Sequence, residues 1–147
     1  MTHHAWLSLG ANLGDPRAQL REAVRRIDAH PDIRVTTQSE LVMTTAWGKT
    51  DQPDFCNMAV AVETDLQPLP LLEALLAIET EMGRVRIEKW GPRVIDIDII
   101  AYDRLVLHTA QLTLPHPFAH ERAFVLEPLA EIAPEVRGWV IEMGKRS

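Results

Sequence analysis

Cysteine is nearly absent: Cys56 is the only one in 147 residues. A single thiol excludes an internal disulfide framework and any multi-cysteine zinc or iron–sulfur site, and it suits a reducing compartment, so the cytoplasm is the expected location. No run approaches the roughly 18 apolar residues that a membrane helix needs, and Met1 to Gly10 lacks the charged-then-apolar layout of a secretion signal. A basic excess is missing too. The 15 Lys+Arg against 21 Asp+Glu leave a net charge of −6, which argues against sequence-independent adhesion to nucleic acid or to an anionic membrane. An anionic ligand would have to be held locally. There is no internal repeat, no low-complexity tract and no linker long enough to separate a pair of domains. What is present, 46% hydrophobic content over a length typical of one domain, predicts a single compact domain over residues 1–147.

The ten prolines punctuate elements. Ala5, Leu7 and Leu9 alternate with Trp6 and Ser8, which predicts a first strand closing at Gly10. Asp15-Pro16 reads as an N-cap followed by proline at the first helical position, with Leu20, Val24 and Ile27 behind it, so a helix is expected over about 16–29. Ile33, Val35, Thr37, Ser39, Leu41 and Met43 share one parity of a second strand, and Thr44 to Asp54 reads as a polar loop. Phe55 to Glu63 gives a third strand, with Cys56, Met58, Val60 and Val62 on the expected core face and Phe55, Asn57, Ala59 and Ala61 opposite. Pro70 opens a second helix that runs to Met82 and stops at Gly83 as a left-handed cap. A polar loop, Arg84 to Pro92, leads to a fourth strand, Val94 to Tyr102. The order β-α-β-β-α-β predicts an α+β, ferredoxin-like fold: an antiparallel sheet with both helices on one face and the other face open. A C-terminal extension follows, with a short strand pair expected around Asp103-Arg104 and one helical stretch near His120 to Leu126.

The sharpest chemical signal lies on the fourth strand. Asp96 and Asp98 alternate with Ile95, Ile97 and Ile99, which puts both carboxylates on the open face roughly 6 to 7 Å apart by strand rise. Like charges so close repel unless a cation sits between them or a positive group neutralises them, although an isolated D-x-D is at least as often a solvated edge. Just upstream, Arg84, Arg86, Lys89 and Arg93 place four of the fifteen cations in ten residues, interleaved with Trp90, Gly91 and Pro92. Loop cations suit phosphate oxygens and paired carboxylates suit Mg²⁺, so together they describe a metal–nucleotide site; the plain alternative is a patch of mutual salt bridges. On the second helix Glu79 falls in the middle of an arc made by Leu71, Leu72, Leu75, Leu76, Ile78 and Met82. An inward acid in the last helical turn calls for a partner such as an arginine or a ligand hydroxyl. Phe55 and Asn57, two apart on the open face, pair a flat ring with an amide that both donates and accepts, which suits a heteroaromatic ligand, and Phe124 could supply a second stacking face.

Other motifs carry less. His116 and His120 are spaced i, i+4, but Pro117 lies between them and no metalloprotease glutamate follows, so a phosphate-facing His116 near Arg122 is preferred to a zinc site. Gly10-Ala11-Asn12-Leu13-Gly14-Asp15 matches neither common glycine-rich phosphate loop and reads as turn-and-cap chemistry. No G-x-S-x-G occurs, which leaves acyl-transfer hydrolysis without support.

These residues resemble the 6-hydroxymethyl-7,8-dihydropterin pyrophosphokinase family of folate biosynthesis. The likeness rests on Gly10 to Gly14, Asp51-Gln52-Pro53-Asp54-Phe55-Cys56-Asn57, Gly83-Arg84-Val85-Arg86, and Trp90-Gly91-Pro92-Arg93-Val94-Ile95-Asp96-Ile97-Asp98-Ile99. It continues through Leu114-Pro115-His116 and Arg122-Ala123-Phe124 to Glu131-Ile132-Ala133-Pro134. The resemblance implies transfer of pyrophosphate from ATP to the pterin hydroxymethyl oxygen with release of AMP, and two Mg²⁺ ions held by Asp96 and Asp98. It implies pterin contacts at Thr44, Trp47, Phe55, Asn57, Trp90 and Phe124. It implies nucleotide contacts at Glu79, Arg84, Arg86, Trp90, Arg93, Thr113, His116 and Arg122, with Arg84, Arg93, Asp96 and Asp98 taking part in catalysis. Leu76 and Gln111 stand where the family often has a glutamine and a basic residue. Partners are then the two small molecules, with no nucleic acid or membrane and a monomeric chain. Two other classes share the element order. An RNA-recognition module would need an aromatic strand motif that Phe55 to Glu63 lacks, and a non-catalytic ligand-binding regulatory module would need neither the paired acids nor the arginines.

Overall fold

The structure is a computed structural model that describes residues 1–12, 14–44, 55–83 and 95–146. The alternating segment at the start forms strand β1 (His3–Ala11). Asp15 caps helix α1 (Pro16–Ala29) as its sequence predicts: the carboxylate accepts from the Ala18 amide at 3.2 Å and Pro16 occupies the first turn. Helix α1 buries Leu20, Ala23, Val24 and Ile27.

The expected second strand is two strands, β2 (Ile33–Gln38) and β3 (Val42–Thr44), both paired with β4 (Phe55–Thr64). A bulge shifts the register at Thr36, so that Val35 faces Val62 while Thr37 faces Ala61. The single parity from Ile33 to Met43 fails there, and Thr37 and Met43 are exposed. Ser39 then breaks the ladder. Its amide donates to the Ala59 carbonyl at 2.9 Å, and its hydroxyl oxygen accepts from the Ala59 amide at 2.9 Å. A side chain thus replaces one rung of the sheet.

Helix α2 (Pro68–Gly83) starts two residues before Pro70 and runs through Gly83. It buries Leu71, Leu75, Ile78 and Met82, whereas Leu76 is 44% exposed and leaves the apolar arc predicted for it. Strand β5 (Asp96–Tyr102) completes an antiparallel sheet of order β2-β4-β1-β5, the ferredoxin-like arrangement. Helices α1 and α2 close the main core against Leu7, Leu9, Met58, Val60, Ile97 and Ile99.

The second face is not left open. Strands β6 (Leu107–His108) and β7 (Thr113–Leu114), a 3-10 turn (Ala119–Glu121), and helices α3 (Ala123–Ile132) and α4 (Pro134–Lys145) follow the sheet. Val125 and Leu129 on α3 and Val136 and Val140 on α4 form a second core with Ala59, Ile100 and Ala101. A bulge makes this possible: register passes from Trp6 opposite Ala101 to Leu7 opposite Ile99, which turns Ile100 and Ala101 to the same side. The strand pair expected at Asp103-Arg104 lies instead at β6–β7, and those two residues form a turn with Asp103 at φ 49°. No described helix is long and apolar enough to cross a membrane.

Candidate active site

The second core covers Trp6, Ala59, Ile100 and Ala101. Further along the same face the sheet presents two cross-strand rows. Asn57, Gly10 and Asp96 lie side by side on β4, β1 and β5, and Ala59, Ser8 and Asp98 form the next row. Residues directly opposite share a face, so the parity argument for Asp96 and Asp98 agrees with their position: both are exposed between buried Ile95, Ile97 and Ile99.

Asp98 lines a cavity of about 230 Å³ together with Leu72, Gln111, Thr113 and His116. The segment after β7 is tied to the β5 bulge by the His116 amide, which donates to the Ile100 carbonyl at 2.9 Å. His116 Nδ1 accepts from the Phe118 amide at 3.2 Å, which leaves Nε2 to carry the ring proton of the neutral form. Burial holds the imidazole pKa below its ordinary value; the Asp98 charge opposes that shift and the Arg122 charge adds to it. His116 is therefore a neutral donor at the cavity wall. The predicted positions Asp98, Thr113 and His116 come together here, joined by Gln111.

Glu79 reaches from α2 to the outer edge of the sheet, where Oε2 accepts from the Ile97 amide at 2.6 Å. The sequence calls for an arginine or a ligand hydroxyl as its partner; the Ile97 amide is one partner the described residues supply, because β5 is an edge strand whose outward N–H groups need acceptors, and the arginines of 84–93 lie outside the described residues. The amide so held belongs to the residue between the two acids.

At the other end of the row, Asn57 is only 4% exposed, and its Nδ2 donates to Thr44 Oγ1 at 3.3 Å. Phe55 faces Thr44 across β3 and β4 and is 38% exposed. Phe124, in the first turn of α3, is equally exposed, and its ring lies 5.8 Å from the Arg122 guanidinium, which also stands 5.6 Å from the Phe118 ring. Trp47, Arg84, Arg86, Lys89, Trp90 and Arg93 lie outside the described residues. The sequence closes the first strand at Gly10 and reads Gly10 to Asp15 as turn-and-cap chemistry, whereas β1 runs on to Ala11 and Gly10 stands in the middle of the row. The available signal was a glycine interrupting an apolar strand, a frequent mark of close approach.

Among the described residues no group of three or more His, Cys, Asp or Glu side chains could enclose a metal ion. Two neighbouring carboxylates are a partial shell of hard oxygen donors. That fits Mg²⁺, which keeps water and takes phosphate oxygens for its other positions, and it does not fit a closed zinc site.

Fold and face together define a ferredoxin-like α+β protein whose partly covered second sheet face presents two exposed carboxylates in line with a buried amide. The sequence profile of 7,8-dihydro-6-hydroxymethylpterin-pyrophosphokinase (HPPK) matches residues 6–134. The chain belongs to that family. It is 53% identical over 132 residues to the 2-amino-4-hydroxy-6-hydroxymethyldihydropteridine pyrophosphokinase of Methylorubrum extorquens, covering 90% of this chain and 84% of that one. It is 45% identical over 136 residues to the Bacillus subtilis protein of the same name, covering 92% and 81%. Among solved structures, Plasmodium falciparum HPPK-DHPS with pteroate superposes with a TM-score of 0.74 at 16% identity over 99% of this chain. The chain spans 43% of that longer protein, and the likeness supports the fold.

Proposed function

We propose that this protein transfers the pyrophosphoryl group of ATP to the hydroxymethyl oxygen of 6-hydroxymethyl-7,8-dihydropterin, yielding AMP and the pterin diphosphate for folate biosynthesis. It acts as one domain, as a monomer, in the cytoplasm. The reading is carried by the co-location, on one end of one sheet face, of the Asp96/Asp98 pair, the Asn57 amide and the cavity holding Thr113 and His116. It is supported by relatives at 40 to 53% identity that bear the pyrophosphokinase name.

Asp96 and Asp98 would hold two Mg²⁺ ions, which supply charge neutralisation and alignment of the triphosphate. The hydroxymethyl oxygen bonds to the β-phosphorus as the bond from that phosphorus to the α–β bridging oxygen breaks, AMP departs with that oxygen, and the hydroxyl proton passes to water. Asn57, Thr44, Phe55, Phe124, Trp47 and Trp90 bind and orient the pterin. Glu79, Thr113, His116 and Arg122, with Arg84, Arg86, Trp90 and Arg93, line the nucleotide; Arg84 and Arg93 neutralise transferring charge. His116 donates from Nε2 as a neutral imidazole. In-line transfer asks mainly for such positioning and needs no strong base from the protein.

The test is direct: incubate the protein with ATP, Mg²⁺ and the pterin and resolve the adenine nucleotides. AMP formed in step with pterin diphosphate is expected. ADP would redirect the assignment to an ordinary kinase, and binding without turnover would redirect it to a regulatory module.

A further inference from the structure

Gly10 occupies the centre of the row Asn57–Gly10–Asp96, between buried Leu9 and Ala11 of β1. A Cβ built on it would lie 2.8 Å from Asn57 Oδ1, closer than carbon and oxygen pack. The Asn57 amide cannot simply swing away. Its residue is 4% exposed, and its Nδ2 is engaged with Thr44 Oγ1 on the far side, so the amide plane is fixed between the Thr44 hydroxyl and the bare Cα of Gly10. Glycine is disfavoured inside strands, where it is conformationally costly and offers nothing to pack. Here the missing side chain is what the neighbouring amide requires.

We infer that Gly10 is a positioning residue for substrate recognition: by leaving the space over β1 empty it holds the Asn57 amide in the one orientation that presents its donor and acceptor to the edge of the pterin ring. This rests on the proposed pyrophosphokinase reading, in which Asn57 binds the pterin. The acid pair at the other end of the row is untouched by the same substitution, since the nearest side-chain atoms that a Cβ at position 10 would meet belong to Asn57. The nucleotide half of the site and the pterin half are thereby separable.

The experiment compares the wild type with Gly10→Ala, Asn57→Ala and the double variant, measuring kcat, the KM for each substrate and the side-chain amide resonances of Asn57 in the ligand-free protein. Gly10→Ala should raise the pterin KM by about three- to tenfold, the loss of one neutral hydrogen bond, and leave the ATP KM unchanged. The Asn57 amide resonances should shift. In the Asn57→Ala background the Gly10 substitution should add nothing, because the group it displaces is gone. An unchanged pterin KM, an equal rise in both KM values, or a full penalty retained in the Asn57→Ala background would each overturn the inference. If Gly10→Ala alone does not fold, the double variant should fold; failure of that rescue counts against the inference as well. A wild type that forms no AMP sinks the functional reading instead, while the Asn57 resonances still report whether Gly10 sets the amide.

Discussion

Glu79 is a single charged side chain that serves an edge strand beside the two acids. Its carboxylate accepts the outward amide of Ile97, and the residues on either side of that amide are Asp96 and Asp98. Removing the acceptor from a buried donor costs about 1 to 3 kcal/mol. Glu79→Ala should therefore lower stability by that amount in urea unfolding and lower kcat for AMP release, whereas Glu79→Gln, which keeps an acceptor oxygen, should lose less of both. Asp103 provides a residue-level test in pH. Its Oδ1 accepts from the His4 amide at 3.0 Å and its Oδ2 faces His3 Nδ1 at 2.8 Å. Burial raises its pKa, but the His4 amide and the His3 ring outweigh burial and leave the carboxyl below its ordinary value of 3.8. A carboxyl with a depressed folded pKa contributes stability that is complete above the unfolded value and is lost as pH falls through the folded one. Asn tolerates the left-handed φ of this position, so Asp103→Asn removes the charge with little backbone cost. Its melting temperature should fall below the wild type at pH 7, and the gap should narrow as pH drops below 3.8. A gap independent of pH would assign the contribution to shape alone.

At the scale of elements, local pattern and long-range contact divide what the sequence can tell. The cap at Asp15, the core face of β4 and the outward acids of β5 are set by neighbours one to four residues away, and alternation or spacing reveals them. The break at Ser39 is set by Ala59, twenty residues on, and the bulges at Thr36 and Ile100 are set by partner strands, so period-two counting passes over them. Helices α3 and α4 largely escape such counting because Pro128 sits inside α3 and Pro134 starts α4, and proline reads as an interruption until tertiary packing shows otherwise. Two glycines of α4 turn this distinction into a paired prediction. Alanine is a better helix former than glycine by about 1 kcal/mol. A Cβ at Gly138 meets nothing within 4 Å, so Gly138→Ala should stabilise the protein by about 0.5 to 1 kcal/mol. A Cβ at Gly144 would lie against Cγ of His120, far inside contact distance, in the turn that leads to Arg122 and Phe124. Gly144→Ala should therefore destabilise, by about 1 to 3 kcal/mol, despite the same gain in propensity. Urea unfolding of the two variants side by side checks both signs.

On the whole-molecule scale the charge balance sets a condition that no single element shows. A chain of net charge −6, with two exposed carboxylates adjacent on one sheet face, repels a free triphosphate. Helices α3 and α4 cover part of that face, so the acids and the cavity beside Asp98 share a bounded region rather than an open plain. In the proposed reading a divalent cation held by Asp96 and Asp98 would offset that repulsion. A ligand that binds the folded state raises its melting temperature by mass action, so the requirement can be read without turnover. ATP with Mg²⁺ should raise the melting temperature, and ATP with EDTA should leave it unchanged. Asp96→Asn/Asp98→Asn removes both the repulsion and the cation's anchor. In that variant ATP should shift the melting temperature equally with and without Mg²⁺, while AMP formation is lost. Retention of the Mg²⁺-dependent shift after both substitutions would move the cation away from this strand and, with it, the place where the triphosphate is aligned.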